Sequence, residues 1–214
     1  MMADDILEYW MSLARELASR FNVEEFDTSS AFWSWDNFKD DIRTLKGRLG
    51  VGNDFIDFLG YHVDFESGET TDTLAGIPGR TSKLVPFLYY YSKAKDVGIA
   101  DEWEKFSALK GSWACRHSFD EQDLETLRRK YVEDKEKLFE TLEKLGGERA
   151  GHGDDAYVVS FLPMVKVLLV FEEEDEEFPA TARLLFDKNS IFYEPHEMLG
   201  SIGWMMASRV AITG

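Results

Sequence analysis

The chain is short of cysteine, of positive charge and of long apolar runs, and each shortage argues against a class of function. Cys115 is the only cysteine in 214 residues. One thiol makes no internal disulfide and cannot by itself ligate an iron–sulfur cluster. Lysine and arginine number 24 against 41 aspartates and glutamates, a formal net charge of −17. The densest basic stretch is Arg128, Arg129 and Lys130. Binding to phosphate backbones by counterion release needs a clustered basic face, so we expect neither nucleic acid nor an anionic membrane as partner. The longest apolar runs, such as VLLVF at 167–171, fall far below the roughly 20 residues of a membrane-spanning helix. The opening MMADDILEYW carries acids where a signal peptide carries positive charge. The chain reads as soluble and cytoplasmic.

What is present supports a packed core. Hydrophobic residues make up 44% and aromatic residues 14% of the chain, which places it among globular proteins and not disordered ones. Ile6, Trp10, Leu13, Leu17 and Phe21 recur at helical spacing and predict an amphipathic helix over 4–21. A second helix is expected from about Asp36 to Leu45. Period-two alternation around Gly60 predicts two strands, or one bent strand, over 54–66. The stretch SGETTDTLAGIPGRTS reads as a loop. Residues 81–96 read as a buried helix with Pro86 in its first turn or at a bend. The clearest helix runs from Asp120 to Leu145, with Asp120 and Asp123 as a capping pair and Gly146–Gly147 as its stop. AYVVSFLP, VKVLLVF and TARLLFD read as strands, and the closing segment as a helix with Leu199, Ile202, Met206 and Val210 on one face. Helices at both ends and in the centre, with strands following one another through short turns, predict an α+β fold with a mainly antiparallel sheet. We expect one domain over 1–214, with a helical segment 1–48 packed on an α+β body 49–214.

Six consecutive acids, Glu172, Glu173, Glu174, Asp175, Glu176 and Glu177, lie between two of these strands. Pro179 favours extended geometry before it, and a helix would set like charges four residues apart. A hairpin connection facing water is the economical reading; a cation site and a partner with a basic surface are the alternatives. Elsewhere, GGERAGHGDDAY is the most site-like loop. His152 beside Asp154 and Asp155 offers a carboxylate and an imidazole for proton transfer or metal binding, and a flexible helix stop offers the plainer account. Cys115 and His117 are further candidate ligands at a spacing that defines no recognised zinc motif. HExxH, GxSxG, the Walker lysine and GxGxxG are absent. The rings of FWSWDNF (Phe32, Trp33, Trp35, Phe38) suit either a core or the wall of an apolar pocket.

The motif order FLGYHVDFESGE, LVPFLYYYSKAKD, DEWEKFSAL, GHGDDAY, LPMVKVLLVFEEEDEEFPATARLLFD and YEPHEML resembles the uncharacterised family catalogued as domain of unknown function 3786, over about residues 50–210. The resemblance implies a cytosolic setting near anaerobic one-carbon or corrinoid metabolism. Some members of that family carry a cysteine-rich iron–sulfur module, which a chain with one cysteine lacks. It supplies no catalytic residues. The functional expectation is therefore a binding or accessory module that engages a protein or cofactor. The alternative is a metal-dependent or acid–base enzyme built on the 152–155 loop with Cys115 and His117.

Overall fold

The computed structural model describes residues 3–21, 31–112 and 121–212. Cys115, His117 and the capping residue Asp120 lie outside them. Helix α1 (Ala3–Phe21) turns Ile6, Trp10, Leu13 and Leu17 inward. Trp10 sets its ring against Tyr90 and donates Nε1–H to the Ile191 carbonyl at 2.9 Å. Helix α2 (Trp35–Ile42) and a following 3-10 turn bury Phe38, Ile42 and Leu45, close to the expected span. Trp33 stacks on Phe38 with ring centres 4.7 Å apart. The apolar core runs without a break from α1 and α2 into the strands of the body.

Two antiparallel sheets form the body. The smaller is a meander of β1 (Phe55–Phe58), β2 (Tyr61–Asp64), β3 (Thr70–Asp72) and β4 (Ile77–Pro78). Leu59 and Gly60, both at positive φ, make its first turn, the geometry that matches strand twist in a two-residue hairpin. β3 and β4 occupy the stretch expected to be loop. They are three and two residues long, TTD and IP, too short for a hydrophobic period to announce them. Instead the carboxylates of Asp64 and Asp72 accept backbone N–H groups two and three residues on and turn the chain back on itself.

Helix α3 (Val85–Lys93), with Pro86 in its first turn, is buried over most of its length. The larger sheet has the order β5 (Trp103–Lys105), β9 (Thr181–Asp187), β8 (Val165–Glu172), β7 (Asp155–Leu162) and β6 (Glu148–Arg149). Its register aligns Tyr157, Leu169 and Leu184 in one row and Val159, Val167 and Phe186 in the next, which puts the buried side chains on one face. Helix α4 (Glu121–Lys144) covers that face through Tyr131 on Phe171 and Phe139 on Tyr157. It is two helical pieces and not the single run expected. Asp134 leaves helical geometry, and its side chain accepts the N–H of Lys137 at 3.1 Å, so it caps the second piece. The C-terminal helix is also divided. Pro195 precedes α5 (His196–Gly200), Ser201 separates it from α6 (Ile202–Ile212), and Leu199, Ile202, Met206 and Val210 are buried as their spacing predicts.

Candidate functional site

Helix α6 is buried on one face and lines a cavity with another. Ile202, Met206 and Val210 face the core, while Ser201, Trp204, Met205 and Ser208 border a cavity of about 580 Å³. Those offsets of three, four and seven residues define one helical stripe. The opposite wall is Leu84, Pro86 and Phe87 at the start of α3, and Trp33 and Met198 contribute further apolar surface. Trp33 therefore serves both readings of the aromatic cluster: it is core, stacked on Phe38, and it is pocket wall. Trp204 stands half exposed at the rim, with the Lys83 ammonium 5.9 Å from its ring centre.

Arg209 ends this stripe and is only 1% exposed. Its Nη1 donates to Asp72 Oδ2 at 2.5 Å and its Nη2 to Asp72 Oδ1 at 2.6 Å. Nη2 also donates to the Gly60 carbonyl at 3.2 Å, and the guanidinium lies 4.2 Å from the Tyr61 ring centre. Burial acts to lower the pKa of Arg209, and the bonds to Asp72 outweigh it, so the net shift is upward. The same bonds hold the Asp72 carboxyl below its ordinary range against the opposing effect of burial, helped by the N–H groups of Ala75 and Leu74. Arg209 Nε is buried and has no hydrogen-bond partner among the described residues. Arg209 is one of the residues that line the cavity. A buried donor without an acceptor is costly unless something supplies one.

The sequence holds a signal for this site that the motif reading passed over. An arginine on the apolar face of a helix, beside Met205, Met206 and Val210, needs a buried partner. That partner lies 137 residues earlier, beyond the reach of local spacing.

His152 is exposed. Asp154 accepts the N–H of Glu173 at 2.9 Å. Asp155 accepts from the Tyr131 hydroxyl at 2.9 Å and from Lys135 at 3.4 Å. Both carboxylates thus tie the loop to β8 and α4. Among the described residues no three histidine, cysteine or acidic side chains gather as metal ligands. The acid run forms the connection from β8 to β9, as its hairpin reading predicts. Glu172 pairs with Arg183 and Thr181, Glu173 pairs with Lys135, and Asp175 accepts the N–H groups of Glu177 and Phe178. Glu174, Glu176 and Glu177 are exposed. His196 is buried and donates Nε2–H to the Lys110 carbonyl at 2.7 Å; burial lowers its pKa, which keeps the ring neutral.

Fold and site together define an α+β protein with two antiparallel sheets and a pre-formed, mainly apolar cavity. The family model described as Domain of unknown function (DUF3786) matches residues 52–209, and the chain belongs to that family. The match takes in the whole α3 wall, Asp72, Gly60 and all cavity residues of α6. No curated protein and no solved structure matches the chain. No helix among the described residues is long and apolar enough to cross a membrane.

Proposed function

We propose that this protein is a binding or accessory module that holds a small, mostly apolar metabolite in the cavity beneath α6. One observation carries the reading: a cavity of about 580 Å³ with aromatic, methionine and leucine walls meets a few converging polar groups, Ser201, Ser208, Lys83 and Arg209. That volume and that mixture are typical of sites for small organic ligands. The polar groups would orient the ligand and the walls would hold it. The setting implied by the family resemblance, anaerobic one-carbon or corrinoid metabolism, belongs to the same proposal. The chain would act there as an accessory binder of a metabolite, since a cavity of this volume holds a drug-sized molecule and not a whole corrinoid.

The test is titration with the neutral probe N-phenyl-1-naphthylamine, followed by its fluorescence. The expected result is saturable enhancement in the wild type that is lost when Ser208→Phe fills the cavity and the circular dichroism is unchanged. Absence of binding in the wild type, or equal binding in the filled variant, removes the reading.

A second reading attaches to the acidic hairpin. Phe178 is 65% exposed at its tip, and Glu174, Glu176 and Glu177 form no ion pair among the described residues. An aromatic anchor ringed by acids suits a protein partner with a basic surface. Binding of a basic aromatic-pocket partner should weaken in Phe178→Ser at constant charge. A loss that follows net charge alone, with Phe178 irrelevant, counts against it.

A further inference from the structure

Building on the small-ligand reading, we infer that the molecule in the α6 cavity is a monocarboxylate with an aromatic or branched apolar body. Its carboxylate accepts the Nε–H of Arg209, and Lys83 at the rim meets its charge.

The cavity lining is opposite in charge to the chain as a whole. Acids outnumber bases 41 to 24 in the chain, yet the cavity is lined by two bases, Lys83 and Arg209, and by no acid among the described residues. Asp72 balances Arg209 from outside the lining. Lys83 has no carboxylate partner among the described residues, so one positive charge at the cavity is left unmatched. Low-dielectric walls focus that charge on whatever enters.

Arg209 also keeps a donor without an acceptor. Asp72 and the Gly60 carbonyl occupy Nη1 and Nη2 of Arg209, and Nε stays without an acceptor. Nε is closed off in the empty cavity, so a ligand oxygen reaches its N–H once neighbouring side chains move aside. The Ser208 hydroxyl, one residue before Arg209 on the same cavity wall, can donate to the second oxygen. One charged N–H and one unmatched cation suit a monoanion; the hydroxyls of Tyr61, Ser82, Ser201 and Ser208 add neutral donors but no second positive charge for a phosphate dianion.

Trp33, Phe87 and Met205 present rings and a thioether to a flat or branched apolar body, which fixes its placement by shape and stacking.

The experiment compares 2-naphthoate with its neutral counterpart 2-naphthalenemethanol by calorimetry on the full chain at pH 7.5 and low salt. The acid is expected to bind at least about tenfold more tightly, the usual worth of a hydrogen bond to a charged group. R209K, which keeps the charge and removes Nε–H, should abolish that preference. If R209K fails to fold, K83Q and S208A carry the test, each lowering the preference by about threefold or more. Equal affinity for acid and alcohol in the wild type overturns the inference and leaves the small-ligand reading standing. So does a preference that survives R209K, or K83Q and S208A together. Binding of neither compound, with no binding of the neutral naphthylamine probe, removes both.

Discussion

A Cβ placed on Gly60 would stand 2.8 Å from Nη2 of Arg209, so the turn between β1 and β2 and the charged end of α6 occupy one another's space. Gly60 also sits at φ +73°, the left-handed region where a side chain is strained. Gly76 has nearly the same backbone, φ +68°, with open space where its Cβ would be. The two glycines separate strain from crowding. Gly76→Ala should lose about 1 kcal/mol from backbone strain alone. Gly60→Ala should lose clearly more, about 2–4 kcal/mol, because the buried ion pair must shift as well. Urea denaturation of both variants checks this, and equal losses would show that Arg209 yields without cost.

The Asp72–Arg209 pair should also set part of the acid sensitivity of the fold. Asp72 has a folded pKa below its unfolded value of about 3.9. Its contribution is therefore complete above that value and lost as pH falls through the lower folded pKa. Asp72→Asn leaves the guanidinium buried against a neutral group and should cost about 3–5 kcal/mol at pH 7. The deficit should narrow below about pH 4. A pH series of melting temperatures for wild type and variant measures it, and a constant gap down to pH 2 contradicts the coupling. Replacing both residues by Met and Leu should restore much of the stability and abolish carboxylate binding.

Much of the fold was legible because its main elements are amphipathic. The stripe Ile6, Trp10, Leu13, Leu17 predicts α1, and the apolar stretch from Val165 to Phe171 next to TARLLFD predicts the centre of the larger sheet. The acid run between them reads correctly as a connection, because so many like charges find room only at the surface, in water or beside Arg183 and Lys135. β3 and β4 were not legible, since Thr70, Thr71 and Asp72 carry no hydrophobic pattern and owe their pairing to Asx turns. The break at Asp134 hides inside a charged stretch, VEDKEK, where a cap looks like any surface acid. The cavity was least visible. Its walls come from α3, α5 and α6 and from Trp33, and the anchor of Arg209 depends on an aspartate far away in the chain. Loop composition drew attention to His152, Asp154 and Asp155, whereas the buried donor without an acceptor stands on a helix that reads locally as core.

The break in α4 is itself testable. Asp134 is exposed, and its Oδ1 accepts the N–H of Lys137. Asp134→Ala should cost about 1 kcal/mol through loss of the cap, and Asp134→Ser should retain most of it. Chemical denaturation distinguishes the two. If alanine is neutral or stabilising, the two pieces prefer to merge into one helix and the cap is incidental.

Glu194 offers the sharpest test of the interior. It is fully buried, both carboxyl oxygens lack hydrogen-bond partners among the described residues, and the Ser190 hydroxyl is equally unsatisfied. Burial raises its pKa well above the ordinary glutamate value, so the folded state holds it neutral. An unfolded glutamate ionises at about pH 4.3. As pH rises past that point the unfolded chain loses this proton and the folded one keeps it. Stability then falls by about 1.4 kcal/mol per pH unit until the folded pKa is reached. Glu194→Gln removes this slope. The variant and the wild type should be close at pH 4 and diverge upward, with the variant the more stable and the higher-melting at pH 8. Parallel profiles for wild type and Glu194→Gln would mean that the carboxyl is ionised in the fold, and a cation or bound water would then have to accompany it.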